Sequence, residues 1–480
     1  MRLIPSLTLV VFALFQSGAV QAQDKDKEKD KKPDVGVKEI TEVLGKSVEE
    51  WVKEMHSKDR SRAEIAIKMI TAFSQAKALL ALDDLLNELA NAPLARPLDA
   101  NSRLAVITAL GAIVGQNPEK VPAKKLEATL KALKKSLSDQ QVLVRIRAMA
   151  ALVAIGPPAE PYLADLLNDL ILQIDVEQRV AAINSIGMII SRTQKRDPAL
   201  MKRAVTSLGI QTNHVQMIVR INALNALQVI GPDANETVPN IILQLHDLKG
   251  TWEARQMAAL ALGTVGFDAL HETANFKKSQ TALIGALEDP CSQVRLAAIR
   301  GLETHGSPYV VEKIKDPKDP KKTSALVPKP FSEFAPVIKE LDKVAFKDPE
   351  PGIQITATLA VMKLTRSVPK KNLAHLKYLM VHDDAAIRGQ ATQAIGLIGP
   401  KAKEMVPELM ERLHDKEPAV QMFAIWSLSR MGTNAVIAIP ALQKLIEDKK
   451  VEDPIKKAAK EAIDIIEGKD KKDTKDPKTK

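Results

Sequence analysis

Aromatic residues are scarce in this 480-residue chain, with 3 Trp, 3 Tyr and 9 Phe. A chain that is nonetheless 45% hydrophobic must fill its core with Ala, Leu, Ile, Val and Met, the side chains of closely packed helices rather than of sheets. Cysteine is nearly absent: Cys291 alone excludes an intrachain disulfide and every multi-cysteine metal site, and it reads as a small buried apolar side chain near a turn. The glycine-rich phosphate cradles, the Gly-x-Ser-x-Gly elbow of hydrolases and the His-Glu-x-x-His metal motif are all missing. Past residue 22, no stretch reads as long and apolar enough to cross a membrane.

What is present begins with a leader. Arg2, an apolar stretch from Leu7 to Phe15 and the small-residue pattern Val20-Gln21-Ala22 ahead of Gln23 predict a signal peptide over 1–22, cleaved near Ala22, and so an extracytoplasmic, periplasmic or secreted product. The formal net charge is +10, but its location argues against nucleic acid as a partner. Residues 23–36 alternate Lys with Asp and Glu, while the lysine surplus sits at Lys313–Lys329 and Lys469–Lys480. Such mixed-charge, weakly hydrophobic ends read as solvated tails.

A chain of this length exceeds one hydrophobic core, and self-similarity shows how it is divided. Val219-Arg220 through Gly231-Pro232, Ile387-Arg388 through Gly399-Pro400, and Val144-Arg145 through Gly156-Pro157 are nearly superimposable. Weaker copies are anchored at Arg62, Arg103, Arg179, Arg255, Arg295, Gln354, Gln421 and Lys456, at steps mostly of 33 to 42 residues. That period belongs to two-helix solenoid units.

In the Arg220 copy, Ala223, Ala226, Leu227 and Ile230 recur at steps of three and four and share one helical face. Gly231 stops that helix in the left-handed cap conformation, Pro232 keeps it from resuming, and Pro239 opens the second helix. Asp139, Asp289, Asp348 and Asp415 follow second helices, placed to cap the next helix start.

With these features the chain resembles the HEAT-repeat family, including its shorter bacterial HEAT-like, phycobilisome-lyase-like variety, from about Glu39 to Ile466. The resemblance implies an all-α solenoid of antiparallel helix pairs, HEAT- or armadillo-like. It also implies a structural ladder between neighbouring units, made by an Asp in the turn and an Arg six residues on. Asp139 with Arg145 and Asp289 with Arg295 match that spacing, Asp383 with Arg388 is one residue short, and Gln354 and Gln421 predict interruptions after Asp348 and Asp415. The expected organisation is an N-terminal array over 37–306, a Lys/Pro-rich insertion loop over 307–333, a C-terminal array over 334–467 and a charged tail over 468–480. The turn from Gly266 to Ser279 is a smaller expansion.

His246, His382 and His414 each precede an Asp at the end of a second helix, so their recurrence follows the repeat rather than a metal site. Counting from each anchor, positions two and five on should face solvent: Asn222 and Asn225, Gln390 and Gln393, and, in the Gln421 copy, Phe423 and Trp426, with Arg430 a turn further. Exposed aromatics beside an Arg have the composition of an interaction hot spot. These residues predict a non-enzymatic scaffold that binds a protein partner, with no catalytic, cofactor or metal site. The resemblance would alternatively imply a HEAT-like lyase or glycosylase; the Lys-rich ends would alternatively suit an envelope component that binds anionic polymer.

Overall fold

A computed structural model describes residues 40–90, 100–172, 175–194, 196–268, 273–306, 311–316, 319–328 and 334–469. The leader at 1–22, the charged segment at 23–36 and most of the tail at 468–480 lie outside these. Within them the chain is an α-solenoid in two layers. One layer holds the anchor-bearing helices Arg60–Ile70, Ala100–Gly115, Val142–Ile155, Val176–Arg192, Met217–Ile230, Trp252–Val265, Ser292–His305, Pro351–Thr365, Ala385–Ile398, Pro418–Met431 and Asp453–Ile466. The helices between them, such as Pro198–Gln211, Val238–Leu245 and Lys370–Leu379, form the opposite layer.

Small residues set the stacking distance. A Cβ built on Gly111 would stand 2.8 Å from the Ala151 Cβ, one on Gly187 2.9 Å from the Ala226 Cβ, and one on Gly263 2.6 Å from the Gly301 Cα. Neighbouring anchor helices therefore approach closely at these small residues, more closely than neighbours in the opposite layer. Ala223, Ala226, Leu227 and Ile230 are all buried, so the face read from periodicity is the face that packs.

Four repeats turn on a glycine of positive φ, but not in the left-handed helical conformation. Gly231 has φ +75° and ψ −141°, and Gly156, Gly399 and Gly432 are close to it. That region is essentially restricted to glycine. The chain then runs through the 3₁₀ turn Gly231–Thr237 into Val238–Leu245, with Pro239 in its first turn. Nothing would touch a Cβ at Gly231, so Gly231→Ala should cost backbone strain alone, about 1–3 kcal/mol. The urea midpoint checks this; an unchanged midpoint would mean that the turn relaxes.

Two sequence expectations are corrected here. The insertion is not a plain loop: Val311–Asp316 and Asp319–Pro328 pair as an antiparallel hairpin, with Val311 opposite Pro328 and Ile314 opposite Ala325. Ladder pairing satisfies the backbone groups of a segment whose prolines and charges keep it from being helical. Nor does the core divide at the insertion. One buried cluster runs from Val48 to Leu364, and a second starts on the Pro351–Thr365 helix with Ile355 and Met362 and ends at Ile466.

By length and composition the stretch Pro418–Glu447 passes the test for a membrane span, with a mean hydropathy of 1.2, which amends the reading that nothing past the leader does. Here it is broken at Gly432 (φ +56°) and kinked at Ala435, and Val420, Ala424, Leu428 and Leu442 are buried within the array.

Candidate functional site

The anchor residues build a hydrogen-bonded ladder along the edge where the opposite layer turns into the anchor layer. Arg255 donates to both carboxylate oxygens of Asp289 (2.7 and 3.1 Å), Arg295 to both of Asp348 (2.7 and 2.9 Å), and Arg388 to both of Asp415 (2.8 and 2.8 Å). Arg103 meets Asp139 at 2.8 Å. Each carboxylate thus takes the Arg of the preceding repeat. The Arg or Gln six residues on takes the same Asp through its backbone carbonyl: Arg145 Nη1 to Asp139 O at 2.6 Å, Arg295 to Asp289 O at 3.0 Å, Gln354 to Asp348 O at 2.7 Å and Gln421 to Asp415 O at 2.6 Å.

The spacing read from sequence therefore marks a carbonyl contact, whereas the ion pair reaches across to the neighbouring unit. Asp383 offers Arg388 its carbonyl at 2.8 Å; the carboxylate that pairs with Arg388 is that of Asp415. Asp348 and Asp415, where interruptions were expected, hold bidentate pairs, and only the onward charge stops at Gln354 and Gln421. The four aspartates also close the turn rather than cap the helix, each accepting the N–H two residues on, as Asp289 does from Cys291 at 2.8 Å. That contact leaves Cys291 half-buried at the helix N-cap rather than in the core.

Burial alone would raise the Asp415 carboxyl, but the Arg388 pair and the Glu417 N–H outweigh it and hold it below its ordinary value. The same pair raises Arg388. Because the folded value is the lower one, this stabilisation is present above the unfolded carboxylate value and is lost as pH falls through the folded value. The melting temperatures of wild type and Asp415→Asn should accordingly differ at pH 7 and converge below about pH 4; a gap independent of pH would exclude the charge as its source.

Five residues past the anchors from Arg103 to Gln421, the solvent-facing positions read Thr108, Ala150, Asn184, Asn225, Leu260, Arg300, Leu359, Gln393 and Trp426, with a single charge at Arg300; the first anchor, Arg62, puts the buried Ile67 there and the last, Lys456, the exposed Glu461. Asn184 and Asn222 bridge neighbouring repeats at 2.9 Å. Beside Arg300, Glu303 is half-buried, and burial raises its carboxyl despite the nearby Lys363 and Arg300. Gln390 is exposed, and Asn222, Asn225 and Gln393 are partly so.

Phe423 and Trp426 do not project freely. A Cβ on Gly389 would lie 3.2 Å from the Phe423 ring and one on Gly396 2.5 Å from the Trp426 ring, so both rings lie against glycines of the preceding anchor helix. Trp426 still shows 37% of its surface to solvent, and Arg430 beside it is exposed. The signal for this seating was present in the sequence: Gly389 and Gly396 sit one and eight residues after Arg388, directly opposite the rings.

Two histidines close turns. His382 Nδ1 accepts the Asp384 N–H at 3.0 Å and His214 Nδ1 that of Gln216 at 3.0 Å, while His246 ends its helix and His414 is exposed. Among the described residues, no three His, Cys, Asp or Glu side chains converge to hold a metal ion.

Comparison with known proteins agrees with this architecture. The family profile described as HEAT repeats matches residues 373–464, and no curated protein matches the chain. Among solved structures the chain is similar to importin beta, with a TM-score of 0.59, 14% identity, and 87% of this chain and 57% of that one covered. It is also similar to the karyopherin Kap121p bound to Nup53p, with a TM-score of 0.57, 14% identity, and 88% and 46% covered. The same karyopherin bound to the extreme C-terminus of the protein phosphatase Cdc14p aligns at a TM-score of 0.56, 13% identity, and 88% and 46% covered. The chain spans about half the length of the karyopherins it matches, and at these identities the likeness concerns the fold.

Proposed function

Starting from an α-solenoid that carries HEAT repeats, we propose that this chain is a non-enzymatic scaffold, working outside the cytoplasm, that binds another protein along its anchor-layer surface. The observation that carries the reading is the surface itself: a strip of amide, small and aliphatic side chains that from Thr108 to Gln393 carries one charge, Arg300, and leads to Phe423, Trp426 and Arg430. Such a strip contributes apolar contact and hydrogen bonds without the desolvation cost of buried charge, and half-exposed rings beside an Arg suit the centre of an interface. The karyopherin Kap121p, solved bound to Nup53p and to the extreme C-terminus of Cdc14p, offers a fold-level parallel for holding a protein segment. Export is supported by the sequence of residues 1–22 alone.

The test is capture of proteins from an extracytoplasmic extract on the mature chain, wild type against Phe423→Ala/Trp426→Ala. Because the rings pack on Gly389 and Gly396, the double variant should lose about 1–3 kcal/mol of stability, yet at a temperature where both proteins are folded it should recover far less partner. Equal recovery would remove these residues from the site. Salt-sensitive retention of anionic polymer that vanishes when the Lys-rich ends are removed would instead favour the polymer-bridging reading.

A further inference from the structure

At one rung of the ladder a cation stands at the position that elsewhere holds the acceptor. The residue six before an anchor supplies the acceptor for the anchor one repeat earlier, and at the other intact rungs it is Asp139, Asp289, Asp348 or Asp415. Opposite Arg220 that position is Lys249. The intervening turn is lengthened, and Asp247 spends its carboxylate on the Gly250 N–H at 3.0 Å. Arg220 donates through Nη1 to the carbonyls of His214 and Val215 (3.0 and 3.2 Å). Its Nε, the atom that binds an Asp in the complete rungs, is buried without a hydrogen-bond partner. Among the described residues Lys249 is exposed and has no ion pair. At the two rungs before it Arg145 meets Gln178 at 2.8 Å and Arg179 meets Gln211 at 3.2 Å. Burial, then the positive charge of Arg179 and Arg220, lowers the nearby His214.

A second observation falls on the same edge. Val215 (86%) and Leu248 (66%) stand exposed in consecutive turns, joined by Ile210, Ile218, Leu243 and Trp252 at the adjoining helix ends. The two turns are neighbours in space, since the Thr251 hydroxyl donates to the Met217 sulfur at 3.2 Å. Two uncompensated cations set among exposed aliphatic side chains describe a receptor for one chemistry.

We propose that this edge docks a peptide segment of a protein partner in which an Asp or Glu is flanked by aliphatic or aromatic residues, the carboxylate completing the rung at Arg220 and Lys249 and its neighbours covering Val215, Leu248 and Trp252. This contact lies outside the Phe423–Trp426 region and stands or falls separately from it.

The test selects random dodecapeptides displayed on phage against the immobilised full chain and measures the synthesised winner by titration calorimetry. The winners should share an acidic residue between apolar ones. Their affinity should fall at least tenfold with Arg220→Gln, a replacement the chain already accommodates at Gln354 and Gln421. It should fall comparably with Lys249→Asp, which supplies the missing acceptor from within, and at least fivefold with Val215→Ser/Leu248→Ser, whose exposed sites leave folding intact. Phe423→Ala/Trp426→Ala should not change it. Winners lacking an acidic residue, or affinity indifferent to both Arg220→Gln and Lys249→Asp, would overturn the proposal; loss only in the Phe423/Trp426 variant would overturn it while leaving the scaffold reading in place.

Discussion

Replacing Asp348 with Ala is expected to destabilise the protein by about 3–5 kcal/mol, because it removes both hydrogen-bonded carboxylate contacts of the buried Arg295 guanidinium and leaves it only the exposed Glu350 carboxylate, 3.6 Å away. The two side chains are only 8% and 3% exposed, and Arg295 gives Asp348 two hydrogen bonds while its Nη1 holds the Asp289 carbonyl. The pair also joins the repeats on either side of the hairpin insertion, 53 residues apart. Urea unfolding followed by helical circular dichroism reads the shift of the midpoint. Arg295→Met combined with Asp348→Ala should recover most of the loss, since replacing a buried pair by apolar groups is often neutral. The exposed Arg196–Asp233 pair is the control: Asp233→Ala should change stability by under about 1 kcal/mol. Equal effects at Asp348 and Asp233 would show that burial does not set the strength of the ladder.

Ala226→Asp is expected to cost more than about 4 kcal/mol. Ala226 is 3% exposed, and its Cβ already fills the space opposite Gly187, so the carboxylate would enter a helix contact with no donor and no room. Either the charge is buried unpaired or the two anchor helices part, exposing Leu227 and Ile183, which are buried here. Thermal melting and limited proteolysis check this, with cleavage expected between the Val176–Arg192 and Met217–Ile230 helices. Ala226→Ser at the same position separates the causes, since it adds one uncharged atom and should cost about 1–3 kcal/mol by overpacking. Melting of the Asp variant at the wild-type temperature would mean that this face does not pack as described.

Residues that act on their own repeat were readable from the chain. The alanine and leucine periodicity gave the buried face of the Met217–Ile230 helix, and the Gly-Pro steps gave its end, because both follow from local geometry. The glycine conformation was misjudged in detail, since a turn that must pass into a 3₁₀ segment needs an extended ψ rather than a helical one. Asp–Arg spacing marked the right residues with the wrong partners: six residues places Arg145 over the Asp139 carbonyl, while the carboxylate's partner lies one repeat away, at a distance no local pattern encodes. Phe423 and Trp426 were placed on the outer side of their helix correctly, but their seating depends on Gly389 and Gly396 in another unit.

Repeat period, helix limits, the all-α architecture and the small-residue core were determined by the sequence alone, for each is a property of one or two adjacent helices. Which arginine meets which carboxylate, that Arg220 Nε is left without a partner, how far Trp426 emerges and that the insertion pairs as a hairpin were decided only by tertiary structure. The physical reason is that these depend on contacts between stacked units, whose distances are fixed by glycine and alanine in neighbouring helices rather than by the residues that make the contact.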